Sequence, residues 1–288
     1  MSLRHVGLIV HPRRDAREVL LRVAEWARGH GVTVAGLAHE DTVLPPGFER
    51  RPESELARDA DLVVGLGGDG TILRALRLAA PFRVPVLGAQ LGRVGFLAEV
   101  QCSELPEALE RVASGDFRVE RRCALDLRRP GRERQTAYND VALARVPGHG
   151  AAAFEVIVDG EVFARYAADA LVVSTPTGST AYSFAAGGPI MSPRFEAVLV
   201  TPVAPHGPFD RTVVLHPDED LLIRVLPRSA GLLIEIDGVG AGEAAVGDEL
   251  VIGTRAGAAL VVRLNGTSFF AKARAKLRLV DAAEIEGG

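Results

Sequence analysis

Residues 61–71 read Asp-Leu-Val-Val-Gly-Leu-Gly-Gly-Asp-Gly-Thr, a short apolar run that passes directly into glycines. An apolar run of this length predicts a buried β-strand. Apolar residues at helical spacing follow in Ile72–Leu78, so a helix is expected directly after the glycines. Because ligands of open α/β sheets bind at the carboxyl ends of the strands, this loop is a candidate binding site.

The flanking sequence extends the α/β pattern over residues 1–117. Short apolar runs such as Leu8–Val10 and Val84–Leu87 alternate with stretches of helical periodicity. This alternation predicts a Rossmann-like domain with a parallel sheet that helices cover.

After Phe117 the pattern changes to short strand-like segments separated by turns, for example Thr136–Ala144. Asp159-Gly160 and Asp237-Gly238 are strong turn signals. Residues 118–267 are therefore predicted to form an antiparallel β-rich domain with one helix near Ala181–Ala186. Helical spacing returns at Phe269–Leu277 with a basic exposed face, and residues 268–288 are expected to pack back on the first domain.

The composition restricts the class of protein. The formal net charge is −4 and the isoelectric point is near 6.0, which argues against a protein that coats nucleic acid. The two cysteines, Cys102 and Cys123, are too few for a disulfide framework. Neither a signal peptide nor an apolar run of membrane-spanning length is evident. A cytoplasmic protein that binds neither nucleic acid nor membrane is expected.

The glycine loop combines a phosphate cradle with a carboxylate. Glycines permit a positive φ and close approach to the main chain, and the helix start that follows favours anions. The loop matches neither the Walker pattern nor the dinucleotide fingerprint. Asp69 beside phosphates suits phosphoryl transfer, where it takes a proton or holds a cation; the alternative is an N-cap of the helix. Arg74 is a candidate phosphate ligand or an ordinary exposed arginine.

A second polar constellation lies in residues 169–183. Four hydroxyls crowd around a proline and a glycine, enough either to cap a helix or to bind ribose and phosphate oxygens; they belong to Thr175, Thr177, Ser179 and Thr180. Tyr182 is placed to lie flat on a base. Asn139-Asp140 interrupts a strand-like run, where both residues are unfavourable, and is either a ligand-binding pair or a bulge or turn.

The chain closely resembles the NAD kinases in the order and spacing of its motifs. These motifs are Gly-Gly-Asp-Gly-Thr, then Asn-Asp, then the run from Asp169 to Ser183 with Ala-Gly-Gly-Pro-Ile. The resemblance implies phosphorylation of the adenosine-ribose 2′-hydroxyl of NAD by ATP or polyphosphate, with Asp69 as general base. It implies a divalent metal ion, Mg²⁺ above all, and a homodimer or homotetramer. The expected NAD-binding residues are Gly68, Gly70, Arg74, Asn139, Asp140, Asp169, Thr177, Thr180, Ala181, Tyr182, Ser183 and Ala185.

Two other functions stay open at this point. Lipid and sphingoid kinases share the Gly-Gly-Asp-Gly loop, although they lack the Thr-Pro-Thr-Gly-Ser-Thr run. A non-catalytic NADP(H) sensor is expected to have lost Asp69, which is present. The chain also departs from many NAD kinases at Ala167, Ala170 and Val239, which puts ligand contacts at Ala167 and Val239 in doubt.

Overall fold

A computed structural model describes residues 3–39, 44–92, 95–264 and 268–277. The chain divides into two compact units, residues 1–120 with 260–288 and residues 121–259. The sequence placed the corresponding divisions at 117 and 267. The described elements of the first unit are β1 (His5–Val10), α1 (Arg17–His30), β2 (Thr33–Leu37), β3 (Glu49–Arg51), β4 (Leu62–Gly67), α2 (Asp69–Ala79), β5 (Val86–Gln90), β6 (Val100–Gln101) and α3 (Leu105–Ser114).

The first unit is built on a parallel sheet of order β3-β2-β1-β4-β5. Of its central strands, β4 is buried throughout and β1 is buried except at His5, as expected for a sheet that helices cover. Side chains of β1, β4 and β5 share one apolar core with α1 and α3. The predicted Rossmann-like class is therefore confirmed for this unit.

The remaining elements are β7 (Arg118–Arg128), β8 (Gln135–Ala137), β9 (Asp140–Arg145), β10 (Ala152–Val158), β11 (Glu161–Ala168), β12 (Ala170–Ser174), α4 (Tyr182–Ala185), β13 (Val198–Val203), β14 (Val213–Leu215), β15 (Leu221–Val225), β16 (Leu232–Ile236), β17 (Val239–Ala244), β18 (Glu249–Arg263) and α5 (Phe269–Leu277). One antiparallel sheet of the second unit has the strand order β14-β13-β12-β9-β16-β17. Strands β11, β10, β15 and the start of β18 pair antiparallel in a further group. Both groups contribute to one apolar core, which confirms the antiparallel β-rich prediction.

The two Asp-Gly turn predictions are confirmed. Asp159-Gly160 joins β10 to β11 and Asp237-Gly238 joins β16 to β17, with φ positive at all four residues. The strand-like segment Thr136–Ala144 forms two strands, because the chain breaks between β8 and β9. The alternative of a turn at Asn139-Asp140 is thus confirmed. Asn139 lies in this break, so the pair Asn139-Asp140 marks the start of a strand.

The chain returns to the first unit through the end of β18 and through α5. Val261 of β18 pairs with Val86 of β5, and Val262 and Leu264 join the first core. Helix α5 confirms the predicted helix, but its basic face is not wholly exposed. Lys272 is buried and its Nζ donates a hydrogen bond to the carbonyl of Ala98.

Candidate active site

The first half of the site lies at the switch point of the parallel sheet. Adjacent strands β1 and β4 lead to neighbours on opposite sides, β2 and β5, which opens a crevice at their carboxyl ends. A cavity of about 350 Å³ lies there. Its lining comes from the end of β1, the loop that follows β1 and the start of α2, namely Val10, His11, Pro12, Arg14, Gly68, Gly70, Thr71 and Arg74.

Asp69 is the first residue of α2, and its carboxylate is held by main-chain donors. The Phe96 amide donates to Oδ2 at 3.0 Å, and the Leu97 amide donates to Oδ1 at 3.0 Å. Lys276 Nζ stands 3.6 Å from Oδ2. The alternative role of Asp69 as N-cap is wrong, because Gly68 holds that position in an extended conformation. The carboxylate is thus fixed in orientation while 29% of the side chain stays exposed.

Gly95 makes the closest approach to this carboxylate. A β-carbon added at Gly95 would lie 2.1 Å from Asp69 Oδ1 and 2.7 Å from Cγ. Real β-carbons do not approach other atoms below 3.0 Å. Glycine is therefore required here so that the adjacent amides of Phe96 and Leu97 can reach Asp69.

Gly68 and Gly70 of the loop leave space for a ligand, and their backbone conformation does not require glycine. Neither Gly68 nor Gly70 has a positive φ, so the expectation of left-handed backbone is wrong for them. A β-carbon at either position would meet no described atom within 4 Å. The space in front of these two residues is open for a ligand to approach the start of α2, where the helix dipole favours an anion.

Arg74 borders the same cavity but already has partners. Its guanidinium pairs with Glu53 at 3.1 Å and lies 3.2 Å from His39 Nε2. A phosphate would have to compete with the Glu53 carboxylate for this arginine. Arg74 as a phosphate ligand stays a prediction.

In the second unit, Asn139 and Asp140 belong to a turn that Asp237 organises. The Asp237 carboxylate accepts hydrogen bonds from the amides of Tyr138, Asn139 and Asp140, at 2.7 Å from Asn139 N. The Asp237 amide in turn donates to the carbonyl of Asp140 at 2.9 Å. Asn139 Oδ1 is buried with no hydrogen-bond partner among the described residues. Because a buried amide oxygen without a partner is costly, a ligand donor there would be stabilising.

Asp140 is 5% exposed. Burial, reinforced by the negative charges of Asp237 and Glu235 and opposed by a hydrogen bond from the Tyr182 backbone, raises the pKa of Asp140 to about 7. A carboxyl with such a pKa changes its protonation near neutral pH. Perturbed carboxyls of this kind are typical of binding and catalytic sites.

The hydroxyl-rich turn packs directly on Asn139. A β-carbon at Gly178 would lie 2.1 Å from the Asn139 carbonyl oxygen, so only glycine allows this contact. Thr175 Oγ1 donates to the Tyr138 carbonyl at 2.7 Å, and Ser179 Oγ donates to the Pro176 carbonyl at 2.7 Å. Two of the four hydroxyls therefore hold the turn together.

The remaining predicted residues of this region differ in accessibility. Thr177 Oγ1 is buried and accepts from Arg122 at 3.3 Å. Ser183 is fully buried and bonds to Thr201, so its hydroxyl is already occupied. Tyr182 has 38% exposure. Among the predicted residues of the turn and of α4, the accessible or partly accessible ones are Thr180, Ala181, Tyr182 and Ala185.

Asp169 lies apart from this cluster. It precedes β12 whereas Thr175 follows it, so a five-residue strand separates them. Its carboxylate pairs with Arg145 at 2.7 Å. Within the second unit, the structure thus brings Asn139, Asp140 and the 175–183 turn together and leaves Asp169 at the opposite end of the strand.

Sequence reasoning missed several residues of these two clusters. The sequence signal for the segment Gly95–Leu97 was the pair of glycines, Gly92 and Gly95, close after a predicted strand. Asp237 was recognised only as a turn residue, and Lys276 only as part of a basic helix face. The partners of Asp237 and Lys276 are remote in sequence, and no local pattern reveals them.

Comparison with known proteins places this geometry in a family. The ATP-NAD kinase N-terminal domain matches residues 6–117, and the ATP-NAD kinase C-terminal domain matches residues 138–264. The chain belongs to the ATP-NAD kinase family. The resemblance that the sequence motifs indicated is thereby confirmed.

Curated members of the family match over nearly the whole chain. NAD kinase 1 of Streptomyces coelicolor is 39% identical over 98% of this chain and 88% of its own length. The NAD kinase of Heliobacterium modesticaldum is 38% identical, with coverages of 95% and 98%.

Two solved structures share the fold. The yeast NADH kinase complexed with NADH has a TM-score of 0.83 at 25% identity, with coverages of 97% of this chain and 88% of its own. An NAD kinase from Archaeoglobus fulgidus in complex with ATP has a TM-score of 0.76 at 23% identity, with coverages of 96% and 100%. The second likeness supports the fold alone.

The described residues bear on metal ligation and on membrane crossing. Among them, no three His, Cys, Asp or Glu side chains cluster as metal ligands do. A divalent ion held by phosphate and water oxygens does not need such a cluster of side chains. No helix in the described ranges combines the length and apolarity needed to cross a membrane.

Proposed function

We propose that the protein transfers the γ-phosphoryl group of ATP to the 2′-hydroxyl of the adenosine ribose of NAD, which yields NADP and ADP. The observation that carries the proposal is Asp69, a fixed but accessible carboxylate beside an open phosphate cradle. It lies in a domain that matches the ATP-NAD kinase family.

In the first unit, we assign the cavity at the switch point to phosphate groups. The open faces of Gly68 and Gly70 and the start of α2 bind phosphate oxygens through amides, and Arg74 adds positive charge. Asp69 accepts the proton of the 2′-hydroxyl while the hydroxyl oxygen bonds to the γ-phosphorus and the bond to the β-phosphate oxygen breaks. General-base help of this kind contributes about 10²–10⁴-fold, so positioning supplies much of the remainder.

In the second unit, we assign the adenosine half of NAD to the cluster around Asn139. The buried Oδ1 of Asn139 accepts from the adenine amine, and Asp140 bonds to a ribose hydroxyl. Tyr182 covers the base with its exposed ring, next to Thr180 and Ala181. Three further predicted contacts fit less well through their side chains, namely Thr177, Ser183 and Asp169, which already have partners. Ala185 is exposed on α4.

The remaining components follow from the family. A divalent ion, Mg²⁺ in our proposal, would be held by oxygens of the donor phosphates and by water, and it would neutralise phosphate charge. Polyphosphate is the alternative donor. We further propose a cytoplasmic homodimer or homotetramer, as the resemblance implies.

The test is a coupled assay in which a dehydrogenase specific for NADP reports product from NAD, ATP and Mg²⁺. Polyphosphate replaces ATP in parallel reactions, and NADH replaces NAD in reactions whose product, NADPH, is measured with an NADPH-specific reductase. Asp69→Asn is expected to keep NAD binding, measured by calorimetry, and to lower kcat by at least about 10²-fold. A folded protein that binds NAD but forms no NADP with any donor would contradict the proposal, and an active Asp69→Asn variant would remove Asp69 as the base.

A further inference from the structure

Helix α5 is anchored to the first unit by a buried charge network. Lys272 Nζ donates to the carbonyl of Ala98 at 2.5 Å and lies 3.5 Å from Glu99. Glu99 also pairs with Arg263 at 2.8 Å and accepts from the Leu264 amide at 2.9 Å. Burial alone would raise the pKa of Glu99, but the Leu264 amide and the two cations lower it overall. The network therefore holds an ionised carboxylate and fixes where α5 lies on this unit.

One turn beyond this anchor, the same helix presents Lys276 to Asp69. Its ammonium is 3.6 Å from Asp69 Oδ2 and 4.2 Å from the centre of the Phe96 ring. The amide of Phe96 donates to that same carboxylate oxygen. Lys276 thus contacts both the carboxylate and the residue that orients it, and a cation over an aromatic face is itself attracted to the ring.

The position of Lys276 reduces the electrostatic repulsion between Asp69 and bound phosphates. A carboxylate next to phosphate groups is repelled by them, and the repulsion is large where solvent is partly excluded. Lys276 offsets this charge from the side of Asp69 that faces α5. The lysine side chain is 39% exposed and borders a cavity of about 500 Å³, so solvent reaches it from that side.

We propose that Lys276 is a positioning residue for phosphoryl transfer, which holds Asp69 in its productive orientation against the repulsion of the bound phosphates. The inference rests on the proposed kinase activity. Lysine and methionine have similar length and volume, so a role limited to packing predicts that Lys276→Met is as active as the wild type. A positioning role predicts a lower kcat, at least about 10-fold, because small displacements of a catalytic group are costly. The KM for NAD is expected to change less than about 3-fold.

The experiment compares Lys276→Met, Lys276→Arg and the control Arg274→Met, a nearby exposed cation of the same helix. Arginine is expected to restore most of the kcat that methionine loses, and Arg274→Met is expected to keep wild-type kcat. Thermal unfolding of each variant verifies that the fold is retained. If wild-type protein makes no NADP, the proposed function fails; if the wild type is active and Lys276→Met matches it, this inference fails alone.

A double-mutant cycle tests whether the lysine acts through the carboxylate. In the Asp69→Asn background, Lys276→Met is expected to have little further effect on kcat, because the group that it positions is already gone. Losses that multiply in the double variant would overturn the inference, since they would show that Lys276 acts independently of Asp69.

Discussion

Substituting Gly95 by alanine adds one methyl group directly against the proposed catalytic base. The new β-carbon would lie 2.1 Å from Oδ1, 2.7 Å from Cγ and 2.9 Å from Oδ2 of Asp69. Gly95 does not have a left-handed φ, so alanine itself can adopt the backbone conformation. The substitution therefore acts through the contact with Asp69.

The carboxylate has to retreat by about 1 Å to reach an ordinary contact distance, and a displacement of that size can lower a rate about 10²-fold. Asp69 is partly exposed, so it can move outward without disturbing the core. We expect kcat of Gly95→Ala to fall by about 10²-fold, with NAD affinity nearly unchanged. The coupled NADP assay measures kcat, and calorimetry measures NAD binding.

The matched control is Gly29→Ala, a glycine of the same unit that would meet no described atom within 4 Å. It lies in α1, so alanine should leave kcat unchanged and stabilise the helix by about 0.5–1 kcal/mol. Wild-type kcat in Gly95→Ala would refute the geometric argument. A loss of more than about 3 kcal/mol in stability would show instead that the backbone, and not Asp69, gives way.

Two further predictions concern the second unit. Asp140 has a pKa of about 7 in the folded chain, against an ordinary value of 3.8. Between these two pH values the folded state holds a proton that the unfolded state has lost. The free energy of unfolding of this unit therefore falls as pH rises from about 4 to 7, by up to about 1.4 kcal/mol per pH unit. Asp140→Asn should remove this dependence of stability on pH. Unfolding of the unit can be followed by the near-UV signals of the three tyrosines, which all lie in it. The same change of stability with pH in variant and wild type would contradict the prediction. Gly178→Ala should destabilise the unit by about 1–3 kcal/mol and weaken NAD binding, because its β-carbon would lie 2.1 Å from the Asn139 carbonyl oxygen. Denaturant unfolding measures the stability, and calorimetry measures the NAD affinity. Unchanged stability and affinity would show that the turn is not tightly packed.

Features with a local signal were predictable from sequence. The strand, glycine and helix order around Asp69 follows from hydrophobic periodicity, and both Asp-Gly turns follow from the positive φ that these residues tolerate. The family resemblance also depended on contiguous motifs. These signals act over a few residues, and the structure agrees with them.

Features that depend on remote partners were not predictable. The break at Asn139 exists because the Asp237 carboxylate, 98 positions away, collects the amides of the turn. Lys272 has the pattern of an exposed helical cation, but its partner Glu99 is 173 positions distant and draws it into the interior. The number of hydroxyls in the 175–183 turn suggested ligand binding, whereas Ser179 mainly holds the turn itself.

The discontinuity of the first unit has a consequence for biosynthesis. Its opening segment ends at residue 120 and its closing segment begins at residue 260, so the ribosome makes the whole of the other unit before the first can be completed. Until then, Glu99 lacks Arg263 and Lys272, and Asp69 lacks Lys276. The nascent chain is thus expected to acquire its assembled phosphate loop only after residues 260–277 have been synthesised, and a premature stop codon ahead of α5 is expected to give a product without a properly held Asp69.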